Sequence, residues 1–225
     1  MVVAVHEDAD LLVLQKPPGL LCVPGRGPDK QDCLSARAQT RWPGALIVHR
    51  LDQATSGLVI MARHIEAQRR LSHAFAERQV HKRYQAVVQG RMQASDAQDA
   101  DAWQAIDLAI AADWERRPLR VIDPVLGKPS LTRWRARRYD PATDTTHVEL
   151  EPVTGRTHQL RVHLAAVGHA ILGDALYADA ATQARAPRLL LHASHLAFMH
   201  PATGAELALE WAEEFEQNRP PALDI

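Results

Sequence analysis

The feature that most constrains the fold is a series of short apolar segments of strand length, without regularly alternating helices between them. The strand-like segments are 11–15, 45–48, 58–61, 84–88, 131–139, 145–151 and 189–199. Helical periodicity is confined to the segments 32–40, 65–78 and 157–167, the last of which ends at Gly168. This pattern predicts an α+β fold on a mixed or antiparallel sheet, flanked by helices and loops, rather than a doubly wound parallel sheet.

Two of these segments alternate in a way that predicts their pairing. Arginines at 133, 135 and 137 share one face of the first segment. His147, Glu149 and Glu151 share one face of the second. Because opposite charges on paired strands attract, we expect these two strands to be neighbours with their charges opposed.

The bulk composition predicts a single domain over residues 1–225. The chain is 46% hydrophobic and 24% charged, which is typical of a soluble globular protein. No apolar run approaches the roughly 20 residues of a membrane span, and the N-terminus does not resemble a secretory signal. Cys22 and Cys33 are too few for a disulfide framework, so we expect reduced thiols and a cytoplasmic location. The sequence does not determine the oligomeric state, and our default expectation is a monomer.

The charge is unevenly distributed although its net value is −1. Residues 63–91 carry seven Lys or Arg against two Glu, and residues 114–139 carry eight against two acids. The tail from 206 to 225 carries six acids and one Arg. Basic zones of this kind can steer a polyanion to one face, although charge alone fits two solvated surfaces equally well.

Three clusters combine acids, bases and turn residues in ways that packing does not require. The first is a polar turn between two predicted core strands, His49-Arg50-Leu51-Asp52-Gln53-Ala54-Thr55-Ser56-Gly57. Such loops commonly display catalytic groups. Read alone, Asp52 fits equally well as the cap of its own turn.

The other two clusters carry basic and aromatic groups. His81-Lys82-Arg83-Tyr84 ends in a ring on which a nucleobase can stack, or which simply packs within a strand. Thr154-Gly155-Arg156-Thr157-His158-Gln159-Leu160-Arg161-Val162-His163 reads as a helix start at Gly155 and Thr157, whose free N–H groups favour an anion. Read alone, it is a capped helix with exposed Arg and His.

Taken together, the three clusters resemble, in order and spacing, the signatures of the RluA family of pseudouridine synthases. The supporting matches are Leu-Gln-Lys-Pro-Pro-Gly at 14–19, Gly-His-Ala-Ile-Leu-Gly-Asp at 168–174 and Leu-Leu-Leu-His-Ala at 189–193. The resemblance covers about residues 10–210. It implies the pseudouridine synthase fold with a central catalytic cleft. Many family members carry an N-terminal S4 domain. Here the motifs begin near residue 1, so we expect the short form without that domain, whose substrates are 23S rRNA and the anticodon arm of tRNA.

The resemblance also implies roles for individual residues. Asp52 is the catalytic carboxylate, and Arg50 fills the gap left by the extruded base. Tyr84 stacks on the flipped uracil, Leu160 packs against its other face, and Arg161 pairs with the catalytic carboxylate. The family hallmark is His-Arg-Leu-Asp, here at 49–52, followed by Thr-Ser-Gly at 55–57. We place His49, which belongs to this hallmark, among the substrate-binding residues. We expect Lys82, Arg83 and Arg156 to contact phosphates.

The chemistry of uridine isomerisation agrees with the rest of the sequence. Breaking N1–C1′ and rejoining the base through C5 involves no redox change, so no cofactor is needed, and no phosphate-binding or dinucleotide motif is present. A carboxylate in a dry pocket needs a cationic partner to stay ionised, as Arg161 would provide. The carboxylate either attacks C1′ or removes a proton from C2′.

Three alternative functions stay open from the sequence. A metal enzyme would use some of the twelve histidines, but the pairs 158/163 and 192/195 lack zinc-helix spacing, and we expect no metal. A hydrolase of N-glycosidic bonds normally needs a second acid, which the 49–57 loop does not supply. A non-catalytic RNA-binding module would not need Asp52, Tyr84 and Arg161 together.

Overall fold

The computed structural model describes residues 2–93, 102–213 and 215. These residues form two compact units. The first unit comprises Met1–Lys82 and His192–Ala212, and the second comprises Arg83–Leu191 and Glu213–Ile225. Residues 94–101, a polar and acidic segment that the sequence predicts to be a loop, and most of the acidic tail lie outside the described residues. The assignment of residues 1–225 to one catalytic domain stays a prediction.

Among the described residues, strands outnumber helices, as expected for the α+β class. The strands are β1 (Val3–Glu7), β2 (Leu11–Lys16), β3 (Leu46–Ile47), β4 (Ser56–Ala62), β5 (His81–Gln89), β6 (Gln104–Asp107), β7 (Ile110–Ala112), β8 (Arg120–Ile122), β9 (Leu131–Asp140), β10 (Thr145–Pro152), β11 (Leu191–Met199) and β12 (Glu206–Glu210). The helices are α1 (Leu34–Arg41), α2 (Ile65–Ala76), α3 (Gln159–Ala166) and α4 (Ala180–Ala184), with a 3-10 turn at Pro28–Lys30.

The first unit is built on a mixed sheet whose central strand is β4. β4 pairs antiparallel with β2 and β3 and parallel with β11, while β1 and β12 pair antiparallel with β2 and β11. All seven residues of β4 are buried, because neighbouring elements cover both faces of the strand. Leu58 and Ile60 of β4 share a core with Leu71 of α2. This packing fixes the strand that follows the 49–55 loop.

The second unit carries an antiparallel sheet in the order β5-β10-β9-β6. β7 and β8 form a separate two-stranded hairpin. The fully buried Leu150 of β10 and Leu164 of α3 belong to this unit, in which α3 packs against β9 and β10. The predicted pairing of 131–139 with 145–151 is confirmed, with Arg135 opposite Glu149 and Arg133 opposite Glu151.

The third cluster differs from its sequence interpretation at the start of the helix. α3 begins at Gln159 rather than at Thr157, because His158 adopts the left-handed conformation, with φ of 58°. The helix ends as predicted before Gly168, whose φ of +87° only glycine adopts readily. In the part of the chain that is described, no helix is long and apolar enough to cross a bilayer.

Candidate active site

The loop that carries Asp52 is attached to the 16–22 segment on both sides of the carboxylate. Before it, the backbone N–H of Leu51 donates to the Cys22 sulfur at 3.2 Å. After it, Gln53 exchanges two hydrogen bonds with Gly19: the Gly19 N–H donates to the Gln53 carbonyl at 2.9 Å, and the Gln53 Nε2 donates back at 3.0 Å. Asp52 itself is half-buried. Its backbone is therefore held at both neighbouring residues while its side chain keeps access to solvent.

Lys16 is the buried cation of this region. Its side chain has 0% exposure, and its ammonium donates to the carbonyls of Pro17 (2.9 Å), Leu20 (2.7 Å) and Gln53 (2.9 Å). Burial lowers the pKa of Lys16 from 10.5 to about 8, and the nearby Cys22 and Asp52 oppose that shift. Lys16 therefore joins the end of β2 directly to the residue after Asp52 and places a positive charge near the Asp52 carboxylate.

His49 is a half-buried, neutral ring of the same unit. It stacks on Phe75 with centroids 4.3 Å apart, and its Nε2 accepts the Ile60 N–H at 2.9 Å. Burial, together with the positive charge of Lys82, lowers the pKa of His49 to about 3. Lys82 lies 5.9 Å above the Phe75 ring, and burial lowers its pKa too. Both residues thus have contacts within the first unit, and their predicted contacts with RNA stay predictions.

The end of the loop is fixed where β4 meets β11. Gly57 has a φ of +120°, and a Cβ there would lie 2.3–2.7 Å from backbone atoms of Ala193. Beside it, the fully buried His192 donates from Nε2 to the Trp211 carbonyl at 2.7 Å, and its Nδ1 lies 2.9 Å from the Ser56 hydroxyl. The Thr-Ser-Gly element of the hallmark therefore lies where the backbones of β4 and β11 approach each other closely.

Tyr84, Leu160 and Arg161 belong to the second unit. Tyr84 lies opposite Leu150 in the β5–β10 pair and is half-buried, as is its neighbour Arg83. Leu160 and Arg161 occupy the first turn of α3, and both are buried. Asp52, Arg50, His49 and Lys82 belong to the first unit. The predicted residues therefore fall into two sets, one in each unit.

Arg161 has a carboxylate partner that the sequence interpretation did not assign. Its Nε donates to Oδ2 of Asp174 at 2.8 Å and its Nη2 donates to Oδ1 at 2.6 Å. The Arg161 side chain is 4% exposed and that of Asp174 is 1% exposed. The predicted pairing of Arg161 with Asp52 stays a prediction beside this observed ion pair.

The turn before α3 is closed by its own side chains. Gln159 Oε1 accepts from the Thr154 hydroxyl at 2.6 Å and from the Arg156 N–H at 3.0 Å. Its Nε2 donates to the Leu131 carbonyl at 3.0 Å. This segment therefore uses the Arg156 N–H internally, whereas the sequence suggested that free N–H groups here would favour an anion. The Arg156 guanidinium contacts the Pro129 carbonyl at 3.3 and 3.4 Å.

Much of the basic zone at 114–139 is matched by acids. Arg133 pairs with Glu151 at 3.0 Å, and Arg135 pairs with Glu149 at 2.6 Å. Arg116 pairs with Asp113 at 2.7 Å. These cations are already partly neutralised, so the contribution of this zone to phosphate binding is smaller than its raw charge suggests.

Two of the histidines considered as metal ligands use both ring nitrogens for hydrogen bonds within the protein. His192 is bonded as described above, and His163 lies 2.9 Å from both the Thr132 hydroxyl and the Leu108 carbonyl. Among the described residues, Asp8, Asp10 and His200 also lie close together. There, His200 Nδ1 accepts N–H groups of the following turn, so its Nε2 carries the proton that faces Asp8. The geometry is that of a hydrogen-bond network around the Asp8 carboxylate.

Comparison with known proteins identifies the class to which this fold and these clusters belong. The model of the family described as RNA pseudouridylate synthase matches residues 10–166. The chain belongs to this family, whose members are isomerases.

Within this family, the chain is similar to relatives of the RluA type. The chain is 41% identical over 213 residues to the dual-specificity RNA pseudouridine synthase RluA of Escherichia coli K12, covering 95% of this chain and 94% of that protein. It is 42% identical over 199 residues to the RluA of Pasteurella multocida, covering 88% and 87%. The structure of human RNA pseudouridylate synthase domain containing 1 aligns with a TM-score of 0.77 at 29% identity, covering 95% of this chain and 84% of that one.

Sequence reasoning missed the supporting residues of the site. Lys16 and Asp174 both lie in segments that matched the family, but neither was assigned a role. Each is a charged residue directly after an apolar run, Leu11–Gln15 for Lys16 and Ile171–Gly173 for Asp174. A charge at such a position has to find a buried partner, and this was the available sign of their importance.

Proposed function

We propose that this RluA-type enzyme isomerises selected uridines in both 23S rRNA and the anticodon arm of tRNA, with Asp52 as the catalytic carboxylate. The observation that carries this proposal is the loop at 49–55, in which the hallmark Asp52 is half-buried and held at both neighbouring residues. Dual specificity is supported by the bacterial relatives at 41–42% identity, which are dual-specificity RNA pseudouridine synthases. As partners we propose structured RNA, with the enzyme acting as a cytoplasmic monomer.

The reaction requires one ionised carboxylate at the ribose. The N1–C1′ bond of uridine breaks, the uracil turns, and a C5–C1′ bond forms, while C5 loses its proton and N1 gains one. Asp52 either attacks C1′ or removes the C2′ proton, and both routes need a carboxylate that reaches an extruded nucleotide. The positive charge of Lys16 lies near the Asp52 carboxylate.

The neighbouring residues of the hallmark loop are assigned to base extrusion. Removing a uridine from its stack costs a few kcal/mol, least in a loop. Arg50 is exposed beside Asp52 and is suited to fill the vacated position. His49, neutral and stacked on Phe75, contributes by holding the start of the loop.

The residues of the second unit are assigned to contacts with the uracil base and with the Asp52 carboxylate. Tyr84 offers a stacking face for the uracil, a contact worth about 1–3 kcal/mol per base. Leu160 packs against the other face of the base, and Arg161 provides the guanidinium that pairs with Asp52. Tyr84→Phe should retain most of the stacking, whereas Tyr84→Ala should lose it.

Phosphate contacts are assigned to Lys82, Arg83 and Arg156. Each contact of this kind releases a counterion, so replacing one of the three by Ala should weaken RNA binding and reduce its dependence on salt concentration. Arg133→Ala is the matched control, because that guanidinium is paired with Glu151. It should change the salt dependence least.

The proposal is tested by mapping pseudouridine in the 23S rRNA and tRNA of cells with and without this protein. We expect one 23S site and one anticodon-arm site to disappear without it, and to return with the wild-type chain but not with Asp52→Ala. Loss at only one of the two RNAs would contradict dual specificity. Release of free uracil by the purified protein would indicate a hydrolase instead.

A further inference from the structure

The ion pair of Arg161 and Asp174 is unusually well fixed for two buried charges. Both oxygens of Asp174 receive a guanidinium N–H, and Oδ1 also accepts the backbone N–H groups of Leu176 at 2.9 Å and Tyr177 at 3.2 Å. The Asp174 carboxylate is therefore held by the turn that follows it. Arg161 is in turn held by that carboxylate.

The backbone around Asp174 leaves little freedom for this carboxylate to move. The Asp174 N–H donates to the Ile171 carbonyl at 3.3 Å. Gly173 has a φ of +73°, and a Cβ at that residue would overlap the Arg188 carbonyl at 1.8 Å. A chain packed so closely fixes the direction from which Asp174 approaches the guanidinium.

The aromatic ring of Tyr177 closes one face of the same group. The Arg161 Cζ lies 5.1 Å from the centre of the ring. The Tyr177 hydroxyl accepts the Arg120 N–H at 3.0 Å and lies 2.6 Å from Nδ1 of His158. Tyr177 is therefore attached to β8 and to the residue before α3, and the guanidinium plane is fixed by a ring as well as by a carboxylate.

The geometry of the ion pair indicates that Asp174 orients the Arg161 guanidinium rather than merely filling space in the core. Nε and Nη2 form one edge of the planar guanidinium, and Asp174 contacts that edge, so Nη1 is directed away from Asp174. Burying two charges is a costly way to fill volume, because apolar side chains of similar size do it equally well. A bidentate contact does what apolar packing does not, since it fixes the rotation of the guanidinium about its bond to the chain.

We propose that Asp174 is a positioning residue for catalysis, which holds the guanidinium of Arg161 in one fixed orientation. The proposal rests on the proposed function, in which Arg161 pairs with Asp52 while uridine is isomerised. Asp174 itself touches neither the RNA nor the reacting atoms. Its contribution is to hold Arg161 in one orientation before substrate arrives, so that no reorganisation is needed during the reaction.

The test compares Asp174→Asn with a matched control, Asp179→Asn. Asp179 is an exposed carboxylate in the same segment that accepts the Thr182 N–H and caps α4. Single-turnover rates of tritium release from RNA labelled at uridine C5 are measured at saturating enzyme, and the Kd for the same RNA is measured by filter binding. Asp174→Asn should lower the rate constant about 10- to 100-fold with a Kd within about twofold of wild type. Asp179→Asn should leave both unchanged.

A double-mutant cycle distinguishes a positioning role of Asp174 from a purely structural one. If Asp174 acts through Arg161, adding Asp174→Asn to Arg161→Lys should lower the rate less than about threefold further, because a Lys ammonium has no edge to orient. Full additivity of the two losses would overturn the proposal. So would a wild-type rate constant for correctly folded Asp174→Asn.

Two further results keep the outcomes distinct. If Asp174→Asn does not fold, Asp174→Glu retains the charge but moves the carboxylate by one methylene. It should still lower the rate constant, and a wild-type rate would overturn the proposal.

Failure of the proposed function would give a different result. In that case the wild-type protein forms no pseudouridine, or Asp52→Asn stays active. A wild-type rate for Asp174→Asn beside an inactive Asp52→Asn would refute the positioning role alone.

Discussion

Lys16→Met should remove the contribution of one buried amine to the pH dependence of the free energy of unfolding. The Lys16 side chain is fully buried, and its folded-state pKa of about 8 lies below the usual value of 10.5. Between these two values the unfolded chain binds more protons than the folded chain, so wild-type stability gains from this group as pH rises through the window. The gain is about 1.4 kcal/mol per pH unit and about 3 kcal/mol in total. The Met variant lacks it.

The assay is urea unfolding of wild type and Lys16→Met at half-unit steps from pH 7 to pH 10.5. The difference in free energy of unfolding should be nearly constant up to about pH 8 and then grow with pH. Lys30→Met, at an exposed lysine of the 3-10 turn, controls for loss of a positive charge at the surface. A difference that does not change with pH would refute the reasoning. It would mean that the three carbonyls around Lys16 keep its amine protonated throughout.

Three further changes have expected outcomes that follow from single contacts. Gly57→Ala should leave little folded protein in a thermal melt, because its Cβ would overlap the Ala193 backbone, whereas Gly155→Ala, with nothing within 4 Å, should melt within a few degrees of wild type. His49→Gln should reduce the loss of stability between pH 6.5 and 4. In this range the wild-type ring stays neutral in the folded state, because its pKa is lowered to about 3, while the unfolded chain takes up a proton. The free energy of unfolding of wild type therefore falls by about 1.4 kcal/mol per pH unit from this group. Urea unfolding of both proteins at acid pH measures the difference. Glu149→Gln should increase RNA binding in low salt, because Arg135 then loses its carboxylate partner, and equal Kd values would contradict this.

The strand pattern could be predicted because it depends on local alternation and apolar runs. The pairing of 131–139 with 145–151 followed from the opposed charges, and Arg135 does face Glu149. The start of α3 was misjudged because His158 adopts a left-handed conformation without being a glycine. That choice depends on distant partners, since Tyr177 bonds the His158 ring. No local propensity contains this information.

The supporting contacts of the site could not be predicted because they join distant positions. Lys16 reaches Gln53 across 37 residues of chain, and Cys22 receives the Leu51 N–H across 29. Motif resemblance identified Asp52 and Arg161 but gave no sign that Asp174 would hold the Arg161 guanidinium. A motif indicates which residues take part in the chemistry. The buried partners that orient those residues emerge only when the chain is folded.

The central claim is that the Asp52 carboxylate performs the isomerisation, and the purified Asp52→Asn variant tests it most directly. Asn keeps the size and polarity of the side chain but cannot ionise, so the loop and its contacts at Leu51 and Gln53 should persist. We predict that Asp52→Asn binds 23S rRNA fragments with the wild-type Kd, melts within a few degrees of wild type and releases no tritium from RNA labelled at uridine C5. Tritium release by Asp52→Asn at a rate near that of wild type would contradict the account.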